Sequence, residues 1–180
     1  MSIAPGRYTL GPDNAELLVH TRRSGAAARA GHDLLIEVAS WSGTLEIDED
    51  PSQCSASLSA DGGSVRVREG HGGIQALGED DKDNIKQTID DEVLKRSGIE
   101  FRSTEVEVSP TGDMRVRGEL ELVGKTAPVE FELTLEQDGH LAGSATVKQT
   151  DWGIKPYSAL FGTLKVADEV VVTVDAGLPG

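Results

Sequence analysis

The sequence predicts an all-β domain with one α-helix inserted, and three observations carry that prediction. Apolar and polar residues alternate with period two through most of the chain. Turn signals separate the alternating runs at hairpin spacing, and only one stretch repeats its apolar residues at helical spacing. Many regularly spaced strands in a single domain make either a closed barrel or a sandwich.

The elements follow in order. Leu17 and Val19 alternate with Leu18 and His20, Ile36 and Val38 follow, and Trp41, Leu45 and Ile47 belong to the next strand. Val65 and Val67 come next, then Ile99 and Phe101 leading to Val106 and Val108. The strictest run starts at Asp113. Met114, Val116, Gly118, Leu120 and Leu122 share one face, and Arg115, Arg117, Glu119 and Glu121 share the other. After a turn at Gly-Lys-Thr-Ala-Pro the pattern resumes, with Val129, Phe131, Leu133 and Leu135 inward and Glu130, Glu132, Thr134 and Glu136 outward. This is an antiparallel hairpin with one wet and one dry face, and Pro128 is expected at the strand start. Ala145 and Val147, then Val170, Val172 and Val174, mark the last strands, with Gly62-Gly63, Gly112-Asp113 and Asp138-Gly139 as turns.

Residues 79–98, EDDKDNIKQTIDDEVLKRSG, place Ile85, Ile89 and Val93 on one helical stripe. Acids fill the first turn, Lys95 and Arg96 end the helix, and Gly98 is expected as its stop. The preceding HGGIQALGEDD is read as a connecting loop, with a mobile flap as the alternative.

With 180 residues the chain suits one domain, residues 1–180 with a core over 7–175. An apolar fraction of 37%, with 21 glycines in addition, is globular rather than disordered. A net charge of −14 argues against a nucleic-acid partner, which needs a basic footprint, and against attraction to an anionic membrane surface. The lone Cys54 cannot form an internal disulfide, and no apolar stretch is long enough for a membrane span. MSIAPGRYTL lacks the charged and apolar regions of a signal peptide, so a cytoplasmic protein is expected.

Candidate chemistry is sparse. His32-Asp33, within ARAGHDLLIEV, sits at the start of an apolar run, but neighbours on a strand point to opposite faces and do not form a relay by themselves. The expectation is a bend at Gly31, Asp33 bonding local backbone and His32 at the mouth or core. His20, His32, His71 and His140 lack ligand spacing, and helix polarity accounts for Asp80, Asp81 and Asp83, so no metal is expected. LVGKTAP contains Gly-Lys-Thr, but a phosphate loop needs a second glycine where Glu119 stands. TDWGIKPYSALFG, residues 150–162, gathers Trp152, Ile154, Tyr157, Leu160 and Phe161 around irregular backbone. It reads as a loop plugging the barrel end, or as a gate touching an apolar ligand.

With these segments in place the chain resembles the YceI-like family, lipocalin-like barrels associated with polyisoprenoid or other long-chain lipid binding. The likeness is carried by GRYTLGPDNAELLVHTRRSG and AGHDLLIEVASWSGTLEI, then by DEVLKRSGIEFRSTEVEVS, VRGELELVGKTAPVEFELTL and TDWGIKPYSALFGTLKVADEVVVTVD, in that order over about residues 7 to 175. Within them the family's short motifs correspond to Ser97 through Ser103, Gly118 through Val129, Asp151-Trp152-Gly153-Ile154 and Val166 through Val170. SVRVREGHGGIQALGEDD replaces the family's Ser-Ile-Asp-Thr stretch, and the secreted members' signal peptide has no counterpart, so a periplasmic carrier role does not transfer.

The resemblance implies an eight-stranded antiparallel lipocalin-like β-barrel that is not an enzyme, with no cofactor and no catalytic residues. Its interior would hold an elongated apolar ligand (a polyisoprenoid, isoprenoid quinone or other long-chain lipid) in a lipid-carrier or stress-response role. Inward phase and mouth position select Phe101, Leu120, Leu122, Val129, Phe131, Leu133, Trp152, Ile154 and Phe161 as lining residues. The resemblance adds His32, in contact with the ligand's polar head or a neighbouring loop. A ligand-free barrel acting as a protein-interaction scaffold, and a hydrolase using His32, are the alternatives. The oligomeric state is left open, a homodimer included.

Overall fold

The Asp113–Leu135 hairpin forms as its alternation requires and lies at the centre of the sheet. In the computed structural model, which describes residues 4–159 and 164–179, the strands are β1 (Gly6–Leu10), β2 (Ala15–His20), β3 (Arg23–Ser24), β4 (Asp33–Val38), β5 (Trp41–Ile47), β6 (Ser55–Asp61) and β7 (Val65–His71). Helix α1 (Glu79–Thr88) follows. The chain continues through β8 (Gly98–Val108), β9 (Asp113–Leu122), β10 (Lys125–Leu135), β11 (His140–Lys148), β12 (Ser158–Ala159), β13 (Leu164–Val166) and β14 (Glu169–Gly177).

Eleven strands make one strongly curled antiparallel sheet in the order β1-β5-β6-β8-β9-β10-β11-β14-β2-β4-β7, and β12-β13-β3 make a second, small sheet. The fold is therefore all-β with one helix, but the large sheet is a half-barrel and not the eight-stranded closed barrel expected. The strand breaks read at Val38/Trp41 and at Gly62-Gly63 are present, at Ala39-Ser40 between β4 and β5 and at Gly62–Ser64 between β6 and β7, but β1 and β6 are not among the strands expected. β1 adds itself beside β5 through Tyr8↔Leu45. The β7 edge packs against α1, which shields it from further pairing.

Local irregularities have identifiable causes. Ile99 and Phe101 share a phase that Val106 and Val108 break, because a β-bulge between Ser103 and Glu105 inserts one residue and flips the faces. The β9–β10 turn is shorter than expected. Val123 and Gly124 alone make it, with φ of 52° and 72°, the left-handed pair of a type I′ hairpin. Pro128 thus lies inside β10, opposite Glu119. Alternation from the turn makes this a non-hydrogen-bonded pair, so the missing N–H faces the other side, where pairing with β11 begins only at Glu132.

The predicted helix is also divided. Gly78 N–H donates to Asp81 at 2.9 Å to cap α1, and residues Ile89–Val93 continue it as one π-turn. Gly98 is not its stop. Lys95 and Arg96 take φ of 51° and 57° instead, and Gly98 starts β8. Because Lys95 is exposed and left-handed, Lys95→Gly is expected to raise stability by about 1 kcal/mol in denaturant titration.

Most inward side chains join one cluster, in which Val116 is fully buried and Met114 and Leu141 nearly so. The charged residues hold the outer face. Arg117 donates to Glu130 at 2.9 Å and to Glu105 at 2.8 Å, and these carboxylates push its guanidinium pKa upward.

Candidate functional site

The curl of the sheet encloses a cavity of about 650 Å³ between its inner face and the Ile85–Ile89–Val93 stripe of the helical segment. The stripe therefore serves as predicted, with its apolar side towards the interior. Leu120, Val129 and Phe131 point inward yet are only half-buried, because part of their surface faces this space. Phe101 and Phe131 meet on this wall as a tilted pair, with ring centroids 5.4 Å apart and planes at 58°. Such a concave and mostly apolar wall is suited to an apolar ligand.

Eight of the ten residues selected from the sequence lie on this wall: Phe101, Leu120, Leu122, Val129, Phe131, Leu133, Ile154 and His32. Trp152 does not. It is 4% exposed and joins a second cluster with Leu122, Val147 and Ile154, and its indole Nε1 donates to the Leu120 carbonyl at 2.7 Å. Phe161, like Leu160, lies outside the described residues.

The reason for the Trp152 placement is a split in the sheet. β10 and β11 pair only from Glu132↔Ser144 to Leu135↔Leu141, and both strands run on past the Glu132↔Ser144 end. The turn Gln149–Trp152 packs against β10, so Trp152 acts as a wedge in the wall rather than a plug over its end. Asp168 accepts from the Thr150 N–H and hydroxyl, which holds this turn and lowers the Asp168 pKa.

His32 and Asp33 engage different partners. Asp33 accepts the Arg23 backbone N–H at 2.8 Å, a bond to β3 ten residues away rather than the local one expected. His32 Nε2 lies 2.6 Å from the Gln75 carbonyl, and since a carbonyl only accepts, Nε2 carries the proton. The 72–78 segment is thereby tied to the mouth. Its first two glycines are shaped around the site. At φ of +84° and +76°, Gly72 and Gly73 lie so close to the Arg23 guanidinium and the His32 ring that a Cβ at either would overlap them.

The sequence reading missed Arg23 and Lys165, both on the cavity wall. A signal existed. Residues 17–32 and 152–167 contain Arg22, Arg23, Arg29, Lys155 and Lys165 but no Asp or Glu, in a chain with 31 acids. Among the described residues, no group of three or more His, Cys, Asp or Glu is arranged to hold a metal ion. No helix among them is long and apolar enough to cross a membrane.

The family model described as the YceI-like domain matches residues 8–178. No curated protein matches the chain. Among solved structures, the chain is similar to BcnA of Burkholderia cenocepacia, with 18% identity, TM-score 0.67, and 89% of this chain and 94% of that chain covered. A polyisoprenoid binding domain from Saccharophagus degradans, described as implicated in plant cell wall breakdown, matches at 14% identity and TM-score 0.53, covering 96% and 99%. The Campylobacter jejuni YCEI protein matches at 11% identity and TM-score 0.53, covering 81% and 84%. At these identities the structural likenesses establish the fold.

Proposed function

The chain belongs to the YceI-like family, and from that premise we propose that it binds an elongated apolar ligand (a polyisoprenoid, an isoprenoid quinone or another long-chain lipid) inside the curled sheet. The observation that carries this reading is the continuous apolar cavity of about 650 Å³, within the size range of small-molecule sites. The Saccharophagus relative's description as a polyisoprenoid binding domain supports the same ligand class. Burial of each methylene contributes about 0.8 kcal/mol, less the cost of ordering the chain. A long tail therefore binds through shape and burial alone.

In this reading Phe101, Leu120, Leu122, Val129, Phe131, Leu133 and Ile154 contact the tail, and His32 stands where the tail ends. His32 serves contact rather than catalysis, because its Nε2 proton is already committed to the Gln75 carbonyl. A carrier that picks up and releases lipid is the role that fits.

The test is to purify the protein without detergent, extract it with organic solvent and analyse the extract by mass spectrometry. A lipid in stoichiometric amount is expected, and its length sets how far the cavity is filled. An extract that stays empty even after incubation with isoprenoid and quinone lipids would transfer the reading to a ligand-free scaffold.

A further inference from the structure

Four ionisable side chains reach the cavity wall, namely Arg23, His32, Tyr157 and Lys165, and among the described residues no carboxylate does. In a chain with 31 acids and 17 Lys and Arg, this is the reverse of the overall balance. Arg23 and Lys165 are carried by neighbouring strands of the small sheet, Tyr157 stands immediately before its first strand, and each of them lines the cavity. β13 pairs with β3 through Lys165↔Ser24 and Val166↔Arg23, and the Val166 N–H donates to the Tyr157 carbonyl at 2.9 Å. Arg23 Nη1 donates to the Gly31 carbonyl at 2.8 Å, which brings His32 to the same rim.

Arg23 is held in position with its charge largely unspent. Nη1 is anchored by carbonyl oxygens, those of Gly31 and, at 3.4 Å, His71, which orient the fork without neutralising it. The nearest carboxylate, Asp33, lies 3.9 Å from Nε, off the cavity wall, and already accepts the Arg23 backbone N–H. Gly72 leaves the space in which the guanidinium lies. Lys165 forms no ion pair among the described residues, and exposed Arg22 and Arg29 add to the same positive potential. A cation beside an apolar, low-dielectric space gains more from an anionic partner than it would in water. A planar guanidinium also matches the oxygens of a carboxylate or phosphate.

We propose that the ligand is a single-chain amphiphile with an anionic oxyacid head, either carboxylate or phosphate, and that Arg23 and Lys165 bind this head at the rim while the tail fills the cavity. The inference rests on the lipid-binding reading above and adds the head's charge and the residues that select it.

The experiment uses delipidated full chain loaded with the neutral apolar fluorophore N-phenylnaphthylamine, displaced by palmitate, hexadecyl phosphate or hexadecanol. In the parent protein at least one anionic ligand is expected to displace the fluorophore at about tenfold lower concentration than the alcohol, as one or two charged hydrogen bonds would give. A gain for palmitate alone assigns a carboxylate head, and a gain for hexadecyl phosphate alone assigns a phosphate. Lys165→Gln, and Arg23→Gln with it, should erase the preference while leaving the alcohol's displacement unchanged. Lys165→Gln alone should reduce it, which keeps the test available if the Arg23 change unfolds the rim. Equal displacement by all three ligands in the parent, or a preference that survives both substitutions, overturns the charged-head inference and leaves the cavity reading standing. Displacement by none of them, with no uptake of the fluorophore, overturns both.

Discussion

Phe131→Asp is expected to abolish retention of an apolar ligand, whereas Glu130→Ala leaves it unchanged. The two residues are neighbours on β10 and face opposite ways. Phe131 lies on the cavity wall, opposite Val116 on β9, with its ring in tilted contact with Phe101. Glu130 lies outside, 2.9 Å from Arg117 Nε and 3.6 Å from Arg115 Nε. An aspartate at 131 removes an aromatic contact and sets a carboxylate against the ligand tail. Desolvating that group costs several kcal/mol, so affinity should fall by about a hundredfold or more. Phe131→Leu keeps the apolar wall and should stay within a few-fold of the parent. Fluorophore titration and extract mass spectrometry read both changes, and equal retention by Phe131→Asp and Glu130→Ala would refute the assignment of inner and outer faces.

Trp152→Ala should act on stability rather than on the ligand. The indole is a wedge where β10 and β11 part, bonded to the Leu120 carbonyl and packed on Leu122, Val147 and Ile154. Truncating a buried aromatic costs about 3–5 kcal/mol. In a domain of this size that lowers Tm by roughly 10 °C. Trp152→Phe retains most of the packing and loses the hydrogen bond, a cost of about 1–2 kcal/mol. Its fluorophore affinity per folded molecule should match the parent's. An affinity loss in Trp152→Phe at unchanged Tm would mean that the indole touches ligand after all.

The contrast between these residues shows what the sequence could disclose. Period-two alternation assigned the faces of β9 and β10 correctly, because a side chain's face in a regular strand depends only on parity. It placed Phe101, Leu120, Val129 and Phe131 on the cavity wall for that reason. Parity carries no information about where strands part, so Trp152 was read as a mouth residue instead of a wedge. Two strands were hidden for a different reason. β1, written GRYTL, is too short to show alternation, and with β6 also unread the strand count came out too low. β6, written SASLSAD, buries small side chains that scarcely register as apolar. The charged rim was missed because no motif encodes it. It is assembled from β3, β13 and the residues before β4, and its trace in the sequence is a local lack of acids.

The position of β14 has a consequence for how the chain is made. This strand, the last in the chain, lies between β11 and β2 and joins the β8–β11 meander to the β2-β4-β7 group. Its contact with β2 links His20 to Thr173, 153 positions apart. At roughly 5–20 residues per second, a ribosome needs about 8–30 s to deliver the second partner after the first. During that interval the β2 edge and the inner faces of both groups stand open, and pairing at such separation is slow even once the strand is available. The nascent protein is thus most exposed to mispairing just before synthesis of β14, and its enclosed cavity is the last feature to form.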